Sequence, residues 1–379
     1  MTTDIAVIRG DRRLELLDRA GRARWDTGSS SELMWGTWGS TNGDSSPSLY
    51  SWPTWDPSGT RIACFRAGPE GAGPELVVQH ADGVRSTVLV QFEDRIPIYA
   101  QWSPDGQSMA ILSQADNRLC LSVVDGSGGP EKRIARGSPL FFTWADTQDV
   151  AAFVGGEPRA RMTLIDASSG QMTVLPGQPG NFCAPIRVGG RTAYIARMEG
   201  RVSLWVADRS AAHEIERMDG LVAMLADPTG QRLAIATADD ERSPYRDLCI
   251  LTLDGPHTAS LDPNGCTAFW WTPDGHGLVI ARTDPRSGVV TWEHVEIRTG
   301  LSTHLCELRP TRDMRFYLRF FEQFAQSHPL VDPSGRFLLV AGELEHAGNQ
   351  SGIWRLPLDG SKPERLGDGF LAVWGPATE

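Results

Sequence analysis

A histidine near a carboxylate, with arginines close by, is a set that can move protons and hold an anion, and one stretch of this 379-residue chain carries it. From Met314 the sequence runs through Arg315, Arg319, Glu322, Gln323 and Gln326 to Ser327 and His328. An imidazole titrates near neutrality, so His328 can serve as a general acid or base with Glu322 as its partner. Arg315 and Arg319 would then hold an anionic or carbonyl substrate, as a lyase, hydrolase or cyclase acting on a peptide or secondary metabolite requires. The other reading is structural: His328 hydrogen-bonds backbone carbonyls and only fills space inside the fold.

Other chemistry finds less support. The remaining histidines lie at 80, 213, 257, 276, 294, 304 and 346, scattered without the spacing of zinc ligands. The cysteines at 64, 120, 183, 249, 266 and 306 form no C-x-x-C pair and mostly sit in apolar runs, which predicts reduced core thiols and no metal site. There is no G-x-S-x-G nucleophile turn and no glycine-rich phosphate loop, so no cofactor is expected. The acidic clusters Asp239-Asp240-Glu241 and Glu343-Glu345 read as solvated loops.

What positions His328 is a repeat. Gln101-Trp102-Ser103-Pro104-Asp105-Gly106, followed by Met109-Ala110-Ile111-Leu112, has imperfect copies along the chain. They include Trp55-Asp56-Pro57-Ser58-Gly59, Asp227-Pro228-Thr229-Gly230, Trp271-Thr272-Pro273-Asp274-Gly275 and Asp332-Pro333-Ser334-Gly335. Proline presets the first central position of such a turn, and glycine takes the left-handed one that starts the return strand. The tryptophan ending the incoming strand can fill the gap to a neighbouring sheet. Equivalent positions fall at 55, 102, 144, 186, 226, 271 and 331, with steps of 47, 42, 42, 40, 45 and 60. Four short strands per unit of this length predict an all-β propeller of four-stranded antiparallel blades.

The W-S-P-D-G turn, its following strand and closures such as Val124-Asp125-Gly126 resemble the TolB-like (PD40, WD40-like) β-propeller repeat over nearly the whole chain. Residues 4–26 read as the later strands of a unit that lacks its first, and residues 370–374 as a first strand without successors. Pairing them would remove two open edges. The expectation is therefore a single domain over 1–379, with a composite closing blade from 1–28 plus 369–376. That makes eight blades; seven is the alternative, because the unit at 186 is poorly marked. The long step holds an inserted helical segment, 309–328, with apolar residues at helical spacing: 314, 317, 318, 321 and 324.

In the propeller that this resemblance implies, the loops leading into each first strand surround the channel mouth, the usual ligand face. That nominates Tyr50, Tyr99, Gln101, Phe141, Asn181, Phe269, Arg315, Arg319, Gln323 and Gln326 as ligand-binding residues. The aromatic linker 29–52 adds Trp38. The stretch Phe320–His328 also resembles one found in bacterial TolB-like proteins of unassigned role. The implied function is a module that binds a protein or a small ligand at the mouth, with the enzyme centred on His328 as the alternative.

Composition narrows the partners. A net charge of −11 argues against nucleic acid and anionic membranes. Only Lys132 and Lys362 are lysines, which reads as the bias of a GC-rich genome. No apolar run approaches spanning length, and the opening Met1-Thr2-Thr3-Asp4-Ile5 lacks the pattern of a signal peptide, so a cytoplasmic protein is expected.

Overall fold

The turn sequences do what their chemistry predicts, by two routes. In the Asp-Pro-x-Gly copies the aspartate closes the turn: Asp56 accepts from the backbone N–H of Thr60 and Arg61, and Asp227 from those of Gln231 and Arg232. In the Pro-Asp-Gly copies a hydroxyl takes over. Ser103 Oγ accepts from the Ser108 N–H and donates to Asp105, and Thr272 does the same with Gly277 and Asp274. Both routes end on a left-handed glycine, with φ of 70° at Gly106 and 67° at Gly230.

These turns join strands into successive antiparallel sheets in a computed structural model that describes residues 3–28, 49–68, 72–156, 160–179, 184–240, 243–253, 260–262, 265–344 and 350–377. One sheet runs Tyr50–Trp55, Arg61–Arg66, Glu75–His80 and Ser86–Gln91, each strand beside the next. The pattern recurs from Ile96–Trp102, Leu140–Trp144 and Leu221–Ala226. It recurs again from Ala268–Trp271, in a sheet that continues through Phe337–Leu344 and Ser351–Pro357 to Glu364–Gly367, seven strands in all. A register shift between the third and fourth strands recurs as well, at Leu76/Val77, Leu121/Ser122, Leu204/Trp205 and Trp292/Glu293. Such bulges increase twist, and they recur at the same place in most sheets, though Arg161–Asp166 pairs with Met172–Val174 without one.

Neighbouring sheets are stapled at the turn end. Trp102 donates its indole N–H to the Thr54 carbonyl (3.2 Å), Trp144 to Gln101 (3.0 Å) and Trp271 to Leu225 (3.0 Å). Each acceptor lies on the first strand of the preceding sheet. Arg61 stacks over Trp102 (4.5 Å) while its guanidinium bonds Asp56 and the Gly106 carbonyl, and Arg232 repeats this with Trp271, Asp227 and Gly275.

At the ends of the chain, Ile5–Ile8 pairs antiparallel with Leu371–Trp374, Ile5 opposite Trp374 and Ile8 opposite Leu371. The weakly marked unit at 186 has a reason: Ile186–Val188 turns through Gly189-Gly190, both at positive φ, in place of a proline turn. Its return strand Arg191–Met198 pairs with Gln178–Pro179 as well, so the first-strand position is shared by two short segments.

The inserted segment forms helix α1, Arg312–Arg319, and the single turn α2, Phe321–Phe324. Thr311 caps α1 by accepting from the Met314 N–H, and Phe320 breaks the two apart with φ −123° and ψ 34°. All five residues expected at helical spacing, Met314, Tyr317, Leu318, Phe321 and Phe324, are buried. Among the described residues, no helix is long and apolar enough to cross a membrane.

Candidate functional site

The first strand of each sheet leaves one edge of N–H and C=O groups without a further strand, and buried edge groups must find partners. The insertion supplies many of them with side chains. Gln323 acts as a short stand-in for a strand: its Oε1 accepts from the Phe142 N–H (3.1 Å) and its Nε2 donates to the Phe142 carbonyl (2.5 Å). Glu322 Oε1 accepts from the Met224 N–H (2.9 Å). Gln326 takes the Thr143 hydroxyl (2.6 Å) and donates to the carbonyls of Glu322 (3.0 Å) and Pro185 (3.4 Å).

The reverse direction is used too. Tyr99 donates to the Gln323 carbonyl (2.8 Å), Thr54 to the Ser327 carbonyl (2.9 Å), and the Trp374 N–H to Pro329 (2.9 Å). Phe269 packs edge-on against Phe321, with ring centres 5.0 Å apart. One short segment therefore touches the first strand, or its flank, in seven sheets.

His328 lies at the centre with no exposed surface. Its Nδ1 meets Ser327 Oγ (2.8 Å), which meets Tyr99 Oη (2.7 Å), while Nε2 has no hydrogen-bond partner. Phe324, Tyr99 and Trp52 surround the ring at 5.2, 5.9 and 6.0 Å. Burial pushes its pKa down to about 3, with only the Trp52 backbone pulling the other way. For Glu322 the same desolvation works in the opposite sense and raises the carboxyl to about 8, against the single Met224 N–H. At neutral pH both are uncharged.

Of the residues expected to act together, the structure gathers Tyr99, Phe269, Glu322, Gln323, Gln326 and His328 around this segment. Glu322 and His328 are each bonded to other groups, Met224 and Ser327. Arg315 and Arg319 point outward and are exposed. Phe141 stacks on Phe153 (6.2 Å) in a separate cluster, and Tyr50 is buried beside Ile62 and Cys64. Gln101 is buried with its Oε1 unpartnered. Trp38 and Asn181 fall outside the described residues.

One contact follows the alternative reading of the aromatic linker 29–52, as packing over the channel end, and one was not singled out from the sequence. Trp52 stacks on Phe324 at 4.5 Å from a left-handed backbone (φ 52°) at a register break between Ser51 and Thr54. Trp270 donates to Tyr317 Oη (3.3 Å), which donates to the His328 carbonyl (2.8 Å). The signal for Trp52 was faint: an aromatic residue before Pro53, where the chain must bend out of the ladder.

No protein-family model matches the chain, and no curated protein matches its sequence. Solved structures do match. The β-propeller domain of the Trilobed protease from Pyrococcus furiosus aligns with a TM-score of 0.50 at 11% identity, covering 85% of this chain and 98% of that one. The fold is a β-propeller. Apo AztD from Citrobacter koseri aligns over 100% of both chains with a TM-score of 0.53 and 11% identity. TolB from Acinetobacter baumannii aligns at 0.42 and 16% identity, over 81% and 80% of the two chains. In a propeller the first strands line the central channel, so the insertion lies across that channel and closes it with its own side chains.

Proposed function

We propose that this chain is a TolB-like propeller of eight blades, acting as a module that binds a protein or small ligand through its channel-mouth face. Support for eight comes first from seven sheets among the described residues, one of which has seven strands. That sheet divides into two units where Ser302–Pro310 meets Phe337–Leu344 over only three residue pairs. The register of Ile5–Ile8 against Leu371–Trp374 makes the last blade composite. A single domain over 1–379 in the cytoplasm is the matching organisation.

One observation carries the binding reading. The polar groups that looked fit for chemistry, Glu322, Gln323, Gln326 and His328, are turned inward and engaged with strand edges or aromatic rings. What the mouth offers to solvent is the other side of the same segment, with Arg315, Phe316 and Arg319. An enzyme is the second reading, and the Tyr99–Ser327–His328 chain ending on an unpartnered Nε2 favours it. It requires the segment to move before a substrate could reach that nitrogen.

A photo-crosslinking side chain placed at position 316 at the mouth, and in a separate variant at position 84 on a loop of another sheet, tests the binding reading in the host cell. Capture of a partner or ligand from position 316 and not from position 84 is the expected result. Capture from position 84 alone contradicts it.

A further inference from the structure

Helix α1 divides its residues sharply. At about 100° per residue, Met314, Tyr317 and Leu318 share the buried side, while Arg312, Arg315, Phe316 and Arg319 fall within about a 100° arc on the other. The three arginines on that arc are exposed and have no ion-pair or hydrogen-bond partner among the described residues. Arg61, Arg95, Arg209 and Arg232 each meet a carboxylate. The side chains of exposed Arg118, Arg201 and Arg217 share the lack of a partner among the described residues but do not line one helix face. Asp313, the acid on this helix, is already taken by Arg12 (2.5 Å).

Part of the stripe works against its own helix. Arg312 occupies the first turn, where the helix dipole disfavours a cation, and Arg315 and Arg319 stand four apart with like charge, although Arg319 in the last turn suits the dipole. A feature that opposes local stability and has no internal partner is best explained by something that binds it from outside. The stripe also has an apolar side. Phe316 is 38% exposed, and its ring lies 5.5 Å from half-buried Trp52 and 5.0 Å from Phe320, over which Arg319 stacks.

We propose that this face of α1 is the docking surface for a short acidic polypeptide segment that carries an aromatic or apolar anchor. The proposal rests on the mouth-face binding reading and names its partner. Guanidinium groups pair carboxylates, and Phe316 with Trp52 receives the anchor. Nucleic acid fits less well. The stripe covers about 10 Å of helix, roughly one Debye length at physiological salt, so a long polyanion would run beyond it into the field of a protein with net charge −11.

The test uses the full chain and a short fluorescein-labelled peptide of alternating glutamate and glycine around one phenylalanine. Its comparators are the same peptide with glutamine for glutamate and a short oligo-dT. The wild type should bind the acidic peptide, with affinity falling several-fold between about 50 and 300 mM salt. R312Q/R315Q/R319Q, melting no lower than the wild type, should bind roughly tenfold or more weakly. Phe316→Ser should weaken binding without removing the salt dependence. No binding by the wild type, equal binding by the triple variant, equal binding of the glutamine peptide, or tighter binding of oligo-dT would each overturn the proposal. Should position 316 still capture a partner whose contacting segment is neutral or basic, the acidic specificity falls while the mouth-face reading stands. Failure of both assays removes the two together.

Discussion

The turn ends of the blades and the segment across the channel both bury carboxyl groups, and they treat them in opposite ways. Asp227 is almost inaccessible, and desolvation alone would raise its pKa. The backbone N–H groups of Arg232 and Gln231, the Thr229 hydroxyl and the Arg232 guanidinium more than offset that, and its pKa is lowered. Glu322 exposes similarly little surface, with one backbone N–H for company, and it stays protonated up to about 8. Heavier desolvation and fewer donors together keep Glu322 neutral, whereas four donors outweigh the burial of Asp227. Turns such as the one at Asp227 hold an anion, whereas the channel segment holds a neutral acid among aromatic rings.

Removing one carboxylate from each region should give very different losses. Asp227→Ala strips the turn of its acceptor and leaves Arg232 without its partner, and should cost about 3–5 kcal/mol of stability in a denaturant titration. At about pH 4, where the folded and unfolded chains both hold the proton, Glu322→Gln keeps an oxygen for the Met224 N–H and removes nothing charged, so there it should stay within about 1 kcal/mol of wild type. Equal losses would erase the distinction between the two regions.

A pH series sharpens the comparison with an effect that grows as pH rises. The folded pKa of Glu322, about 8, lies above its ordinary value of 4.5, so the folded state holds the proton more tightly. Its stabilising effect is complete below 4.5 and is lost as pH rises toward 8. Glu322→Gln should therefore gain stability relative to wild type across that window, measured as the difference in melting temperature. A constant difference from pH 5 to pH 8 would place the carboxyl in water instead.

The turns were legible because they are local. Pro-Asp-Gly and Asp-Pro-x-Gly state their own conformation within a few residues, and the tryptophan before them points at the neighbouring sheet. The helix of the insertion was legible for the same reason, from Met314, Tyr317, Leu318, Phe321 and Phe324. Glu322, Gln323, Gln326 and His328 stood out as a polar group, but what they bond could not be read. Gln323 meets Phe142 at a separation of 181 residues, and Glu322 meets Met224 at 98. A glutamine that replaces a strand and a glutamine that binds a ligand look alike in one dimension. Trp52 shows the same limit, since its stacking on Phe324 depends on a backbone break that its own residue type disfavours.

The account stands on the closure of the channel by the insertion, and the imidazole of His328 reports it. Following its ring resonances by NMR through an acid titration should show a neutral ring through pH 4, with protonation only near pH 3 or when the protein unfolds. A folded protein in which His328 titrates close to 6.5 would contradict the account, because that ring would be in contact with water.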